Sequence, residues 1–229
     1  MAYTYTPAGT NIGTAATTHS LNMPGTIASG NLLVAVVRIA AGGAVGWPDA
    51  SWNEMVDASP DASDDQMAIA WKKADGSEGA TISITSASGK CAAEIIKITG
   101  AADPTSRAPE LSTVATGSST TPDPTTCTPT GGSKAYLWIW IGGWEGEQTS
   151  PPTGNPTNFT GAAGANTGTS GAVTVNCRVA VSFREFTGSS LDAGSWTISV
   201  SDEWTAYLMA VHPAPVGGGL FTAGGYYKA

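Results

Sequence analysis

Histidines are the first residues to consider, because an imidazole is the usual general base near neutral pH. The chain has two, His19 and His212, and neither lies in a recognisable catalytic pattern. The sequence also lacks a Gly-x-Ser-x-Gly elbow, a His-Glu-x-x-His pair, a phosphate-binding loop and a dinucleotide fingerprint. We therefore predict that the protein is not an enzyme and that it uses no cofactor.

Residues that could bind a metal do not form a known ligand pattern. Four aspartates crowd one segment: Asp57, Asp61, Asp64 and Asp65. Their spacing fits no EF-hand, so a solvated acidic loop without metal is the preferred interpretation. The three cysteines contain no Cys-x-x-Cys pair: Cys91, Cys127 and Cys177. Because their number is odd, they cannot all form disulfides, and we predict that they are reduced and mostly buried.

Tryptophans near loops allow two interpretations. Trp47, Trp52 and Trp144 could provide flat surfaces on which sugar rings stack, as in carbohydrate-binding modules. They could equally close the rim of a β-structure, because large aromatic side chains bury much apolar area. The second interpretation is preferred, and the glycan-stacking role is kept as the alternative.

The C-terminal segment differs in composition from the rest of the chain. After Pro215 the apolar pattern stops, and glycines separate four large apolar residues: Leu220, Phe221, Tyr226 and Tyr227. A segment so rich in glycine loses much conformational entropy when it becomes ordered, so it needs apolar anchors to stay in place. We predict that residues 214–229 form an arm that docks on a neighbouring protein through these four side chains.

An approximate internal duplication organises the rest of the chain. Four segments of the first half match four of the second half in the same order: Ser29–Val37 with Ser133–Ile141, Met67–Lys73 with Val179–Glu185, Ala80–Thr85 with Trp196–Ser201, and Ala92–Ile98 with Thr205–Val211. The alignment places Leu33 over Leu137 and Trp71 over Phe183. We therefore predict two pseudo-repeated halves, at about 1–100 and 110–213, joined by a crossover at 100–130.

The matched segments have the patterns of β-strands. Large apolar residues alternate through Met67–Lys73, which is typical of a half-buried strand. Residues 32–37 and 136–141 are apolar on both faces, which predicts central strands covered on both sides. Asp75-Gly76 and Thr187-Gly188 follow strand segments and predict hairpin turns. Little helix is expected, and 1–213 should form either one β-sandwich, which we prefer, or two small tandem sandwiches.

Composition and charge argue against two classes of partner. The formal net charge is −8, and no run of basic residues occurs, so a nucleic-acid backbone would be repelled. No stretch reaches the roughly 20 apolar residues of a membrane-spanning helix, and the first residues do not resemble a secretory signal. We expect no binding to nucleic acid or membrane, and assembly in the cytoplasm.

Four motifs, taken in order, resemble a group of β-sandwich proteins encoded by tailed bacteriophages. These are Ser-Gly-Asn-Leu-Leu-Val-Ala at 29–35, Trp-Lys-Lys-Ala-Asp-Gly-Ser-Glu at 71–78, Ile-Thr-Gly-Ala at 98–101 and Tyr-Leu-Trp-Ile-Trp-Ile at 136–141. The resemblance spans residues 29–213 and rests on structural motifs. It implies a virion component with a jelly-roll-like antiparallel β-sandwich fold.

The resemblance also implies a function. Proteins of this kind serve as capsid decoration or cement subunits, head fibres or parts of the tail tip, and a compact sandwich with an arm favours decoration. The expected location is the capsid surface of the virion, after assembly in the host cytoplasm. The expected partners are the major capsid protein and neighbouring copies of this chain in a homo-oligomer. The alternative is a tail or head-fibre adhesin, or a carbohydrate-binding module.

Overall fold

A computed structural model of the chain describes residues 2–60, 65–145, 155–167 and 176–215. The first half contributes β1 (Thr4–Asn22), β2 (Leu32–Ile39), β3 (Asn53–Ala58), β4 (Gln66–Lys73) and β5 (Thr81–Thr99). The second half contributes β6 (Glu110–Leu111), β7 (Ala115–Ser119), β8 (Lys134–Glu145), β9 (Thr160–Asn166), β10 (Cys177–Gly188) and β11 (Asp202–Val211). These described residues contain no helix, and hence none long and apolar enough to cross a membrane.

Two antiparallel sheets pack face to face, and each half of the chain forms one of them. Sheet 1 has the order β1-β5-β2-β4-β3, and sheet 2 has the order β6-β11-β8-β10-β9, with β7 also paired to β11. The prediction of a single all-β sandwich is therefore confirmed, because neither half forms a sandwich of its own. The jelly-roll connectivity is not confirmed, since the chain completes one sheet before it begins the other.

The main core lies between the sheets and follows the alternation of the strands. Val34, Ile69 and Ile96 from sheet 1 face Ile139 and Met209 from sheet 2, and all of these side chains are buried. Residues 32–37 and 136–141 do not alternate but are apolar throughout, because they are buried on both faces of their sheets. β2 and β8 are the middle strands of their sheets, and their other faces are covered as well, as the sequence predicted.

The chain itself covers the outer face of each sheet. In sheet 1 the long ribbon of β1 and β5 bends back where its register shifts around Ala16, so that the Asn22 amide donates to Thr10 Oγ1 at 2.7 Å. The folded-back part packs Leu21 and Ile84 over Leu33. In sheet 2 the segments 120–127 and 191–198 lie side by side over a tryptophan-rich face.

The two predicted hairpins are wrong. β4 and β5 lie on opposite sides of β2, and β10 and β11 lie on opposite sides of β8, so neither pair of strands is adjacent. Asp75-Gly76 still makes a tight turn, in which Gly76 has a φ of 90°. The sequence indicated a turn correctly, but a turn does not determine which strands pair.

The two sheets share a pattern that supports the predicted duplication. Leaving β7 aside, both follow the chain order first, fifth, second, fourth, third. Val34 pairs with Trp71, and Ile139 pairs with Phe183, so Val34 corresponds to Ile139. The alignment of Leu33 with Leu137 is therefore one residue out, since the former side chain packs under the outer cover and the latter between the sheets. Common ancestry of the halves stays a prediction.

Candidate functional site

The three tryptophans proposed for glycan stacking do not share one surface. Trp144 has no exposed surface and packs on the outer face of sheet 2 with Trp204. Trp52 is also buried, on the outer face of sheet 1, where it stacks with the half-buried Trp47 at 5.4 Å between ring centroids. Of the three, Trp47 has the largest exposed fraction, and its indole N–H donates to Glu54 at 3.2 Å.

The predicted docking residues of the arm, Leu220, Phe221, Tyr226 and Tyr227, lie outside the described residues. The described chain ends at Pro215. Just before it, Pro213 bridges to Ala101, and the Ala214 amide donates to the carbonyl of Gly100 at 2.9 Å. The described chain therefore ends at a fixed point beside the end of β5.

The outer edge of sheet 1 is a feature that the sequence analysis missed. β1 ends the strand order, and within the described part of the chain its outer edge pairs with no other strand. Its 19 residues include no charged side chain. Pro7 and the register shifts near Ala16 interrupt the edge, but no lysine or glutamate protects it. An uncharged edge of this length is suited to contact with another chain, because charges are a common defence against strand addition.

A buried ion pair of sheet 1 reaches sheet 2 through its arginine. Arg38 in β2 has no exposed surface, and its Nε lies 3.1 Å from Oδ2 of Asp65. The same guanidinium lies 3.5 Å from Thr205 Oγ1 in sheet 2. Gly143 makes room for it, since a Cβ there would lie 2.9 Å from Arg38 Cδ. A pair buried this deeply adds little net stability, because the cost of removing both charges from water offsets their attraction.

A second polar contact between the sheets lies close to this pair. Lys90 in β5 donates from Nζ to Asn176 Oδ1 at 2.8 Å, and Asn176 is completely buried just before β10. The next residue, Cys177, places its thiol 3.2 Å from the carbonyl of Arg38 and 3.6 Å from that of Lys90. Three backbone segments from both sheets are therefore held together at this point.

Glu94 is the least satisfied charged group of the described core. Its side chain points between the sheets, is 2% exposed, and leaves Oε2 without a hydrogen-bond partner. Gly9 in β1 and Gly164 in β9 border it, and a Cβ at Gly9 would lie only 2.8 Å from Oε1. Burial raises the pKa of Glu94 from 4.5 to about 7. An unpaired carboxyl in such a place favours its neutral form.

The two histidines serve in buried hydrogen bonds. His19 Nε2 lies 2.8 Å from Ser86 Oγ, and burial lowers the pKa of this imidazole. His212 Nε2 lies 2.7 Å from Glu110 Oε1, and its ring meets Tyr136 edge to face. Glu110 also accepts hydrogen bonds from Thr130 at the start of the turn before β8. The His212–Glu110 pair was not predicted, because 102 residues separate its members along the chain.

Two aspartates of the predicted acidic loop lie among the described residues, and each makes a contact within the protein. Asp57 accepts a hydrogen bond from the Val45 amide at 3.0 Å, and Asp65 pairs with Arg38, whereas Asp61 and Asp64 lie outside the described residues. Among the described residues no group of three or more potential ligands is placed to hold a metal. All three cysteines are buried and unpaired, and burial raises the pKa of each thiol.

Comparison of the chain with protein-family models, with curated proteins and with solved structures finds no match.

Proposed function

We propose that the protein is a structural component of a tailed-bacteriophage virion, where it decorates the outer capsid surface and stabilises the head. The phage assignment rests on the resemblance of residues 29–213 to β-sandwich proteins of such phages. The observation that best supports a role in assembly is the uncharged outer edge of β1, which pairs with no other described strand and so suits the addition of a strand from another chain. The partners are the major capsid protein and neighbouring copies of this chain.

The architecture is consistent with a cement role. The chain covers both flat faces of its sandwich, so contacts with other proteins fall to its edges, its loops and the arm. A protein that binds only the assembled capsid stabilises it by mass action, without any catalysis. Its net charge of −8 keeps it from binding the packaged DNA.

The test compares phage particles with and without the protein. Particles that lack it should release DNA at a lower temperature or at lower salt, and adding purified protein should restore retention. Equal DNA retention by the two kinds of particle would contradict the cement role.

Two variants test which surface makes the contacts. Thr6→Lys introduces a charge at an exposed position of the β1 edge. Thr187→Lys is the matched control, because it makes the same change at an exposed position of β10 in the other sheet. We expect weaker incorporation for Thr6→Lys alone. Deletion of residues 216–229 should leave the sandwich folded and also weaken incorporation, whereas unchanged assembly would remove the arm from the proposal.

The second candidate is a module of an adhesin that binds host glycans. The observation that favours it is Trp47, whose partly exposed ring lies on Trp52 beside the carboxylate of Glu54. Aromatic faces next to carboxylates are suited to sugars, because the ring stacks and the carboxylate accepts hydrogen bonds. Binding on a glycan array that Trp47→Ala abolishes would favour this candidate over decoration.

A further inference from the structure

The contact between Lys90 and Asn176 brings an amine next to a carboxamide inside the protein. Lys90 Nζ lies 2.8 Å from Asn176 Oδ1. Asn176 has no exposed surface, and Lys90 is half-buried. The amine is therefore held in hydrogen-bond contact with the carboxamide whose carbon a nucleophile would attack, and the carboxamide itself is closed to water.

We propose that Lys90 and Asn176 form an intramolecular isopeptide bond that links sheet 1 to sheet 2 covalently. The Lys90 nitrogen attacks Cγ of Asn176, and a bond between Nζ and Cγ forms. The bond between Cγ and Nδ2 breaks, and the proton lost by the amine leaves with Nδ2 as ammonia. The reaction transfers no electrons and needs no other reactant.

The backbone around both residues holds them in place for this reaction. The carbonyl of Lys90 accepts a hydrogen bond from the Ala40 amide at 2.9 Å, and the Cys177 thiol bonds to the carbonyls of Arg38 and Lys90. Gly89 lies so close to Ala40 that a Cβ would be 2.9 Å from its carbonyl oxygen. When two reacting groups are held together in this way, they react as fast as if one of them were present at a very high concentration in solution.

Two buried carboxyl groups lie in the region of Cys177, the residue that follows Asn176. Glu145 lies directly opposite Cys177 in the ladder of β8 and β10, and it is 8% exposed. Asp65 is 2% exposed and lies 3.1 Å from Arg38, whose carbonyl accepts from the Cys177 thiol, so Asp65 lies in the same region. A carboxyl group removes the proton from the amine and returns it to the leaving nitrogen, as a general base and then a general acid.

The bond would close a loop between residues that are 86 positions apart. A cross-link between distant residues restricts the unfolded chain, so it stabilises the fold in the same way as a long-range disulfide. Unlike a disulfide, an amide also survives a reducing compartment. Such a link would suit a protein whose two sheets come from separate halves of the chain.

The intact mass of the purified full-length protein tests the proposal directly. The mass should be lower than that of the sequence by one ammonia molecule, after any loss of Met1 is taken into account. Digestion should give a branched peptide that joins the segment containing Lys90 to the one containing Asn176. A wild-type mass equal to that of the sequence would overturn the proposal, whatever the variants do.

The variant Lys90→Arg shows whether the missing ammonia comes from this bond or from another reaction. Arginine keeps the positive charge but does not act as a nucleophile here. Its mass should equal that of its own sequence, and its urea midpoint should be lower than that of the wild type. Lys97→Arg is the matched control on the same strand, since Lys97 Nζ bonds to the carbonyls of Gly25 and Thr26. It should retain the mass deficit. A deficit that persists in Lys90→Arg would place the loss elsewhere and contradict the proposal.

Discussion

Glu94 should make the stability of the fold depend on pH in an unusual direction. Burial raises the pKa of this carboxyl from 4.5 to about 7 in the folded protein, whereas the unfolded chain keeps the ordinary value. Between these values the folded state binds more protons than the unfolded state, so the free energy of unfolding falls as the pH rises. The contribution of Glu94 is therefore most favourable below pH 4.5 and is lost by a pH slightly above 7.

The size of the effect follows from the two pKa values. Each pKa unit corresponds to about 1.4 kcal/mol, so the wild type should lose about 3 kcal/mol of stability from this group across the window. Glu94→Gln has nearly the same shape and cannot ionise. Relative to the wild type it should therefore become more stable by about 3 kcal/mol as the pH rises from about 4 to about 8.

Urea denaturation followed by tryptophan fluorescence measures this difference at each pH. Other carboxylates also change the free energy of unfolding with pH; the pKa of Asp103, for example, is lowered to about 2 mainly by its hydrogen bond to Lys73. Because these groups are the same in variant and wild type, their contributions cancel in the difference between the two. Glu185→Gln, at an exposed position of β10, is the control and should show no such trend. If the difference in free energy of unfolding between Glu94→Gln and wild type does not change with pH, Glu94 is not a neutral carboxyl in the folded protein.

Three further predictions concern the core. Arg38→Ala leaves Asp65 buried without its cation and should destabilise the fold by about 3–5 kcal/mol in urea denaturation, whereas replacing both members by apolar residues should recover most of the loss. Gly89→Ala should cost about 1–3 kcal/mol in the same assay, because its Cβ would lie 2.9 Å from backbone atoms that cannot move freely. Trp196→Ala, at a fully buried position, should lower stability by about 3–5 kcal/mol, while Trp47→Ala should cost far less in parallel thermal melts.

The sequence was most informative where burial dictates composition. Residues 32–37 and 136–141 are apolar on both faces because both strands lie in the middle of a sheet and under an outer cover. The predicted burial of the three reduced cysteines is also confirmed. The wrong hairpins have a physical cause: Asp75-Gly76 determines a local turn, but the strand that fills the place beside β4 is β2, which comes earlier in the chain.

The polar contacts between the sheets could not be predicted in this way. Arg38 and Thr205 are 167 residues apart, and their meeting depends on how two separately formed sheets pack. Lys90 looks like an ordinary surface lysine of a strand until Asn176 is placed opposite it. The predicted division of the chain into two halves was informative, since each half forms one of the two sheets.

The most direct test of the proposed function is to locate the protein on purified virions of the phage that encodes it. Electron microscopy of particles carrying labelled protein should show copies distributed over the outer capsid surface. Absence of the protein from purified virions would contradict a structural role in the virion, and labelling confined to the tail tip would contradict capsid decoration.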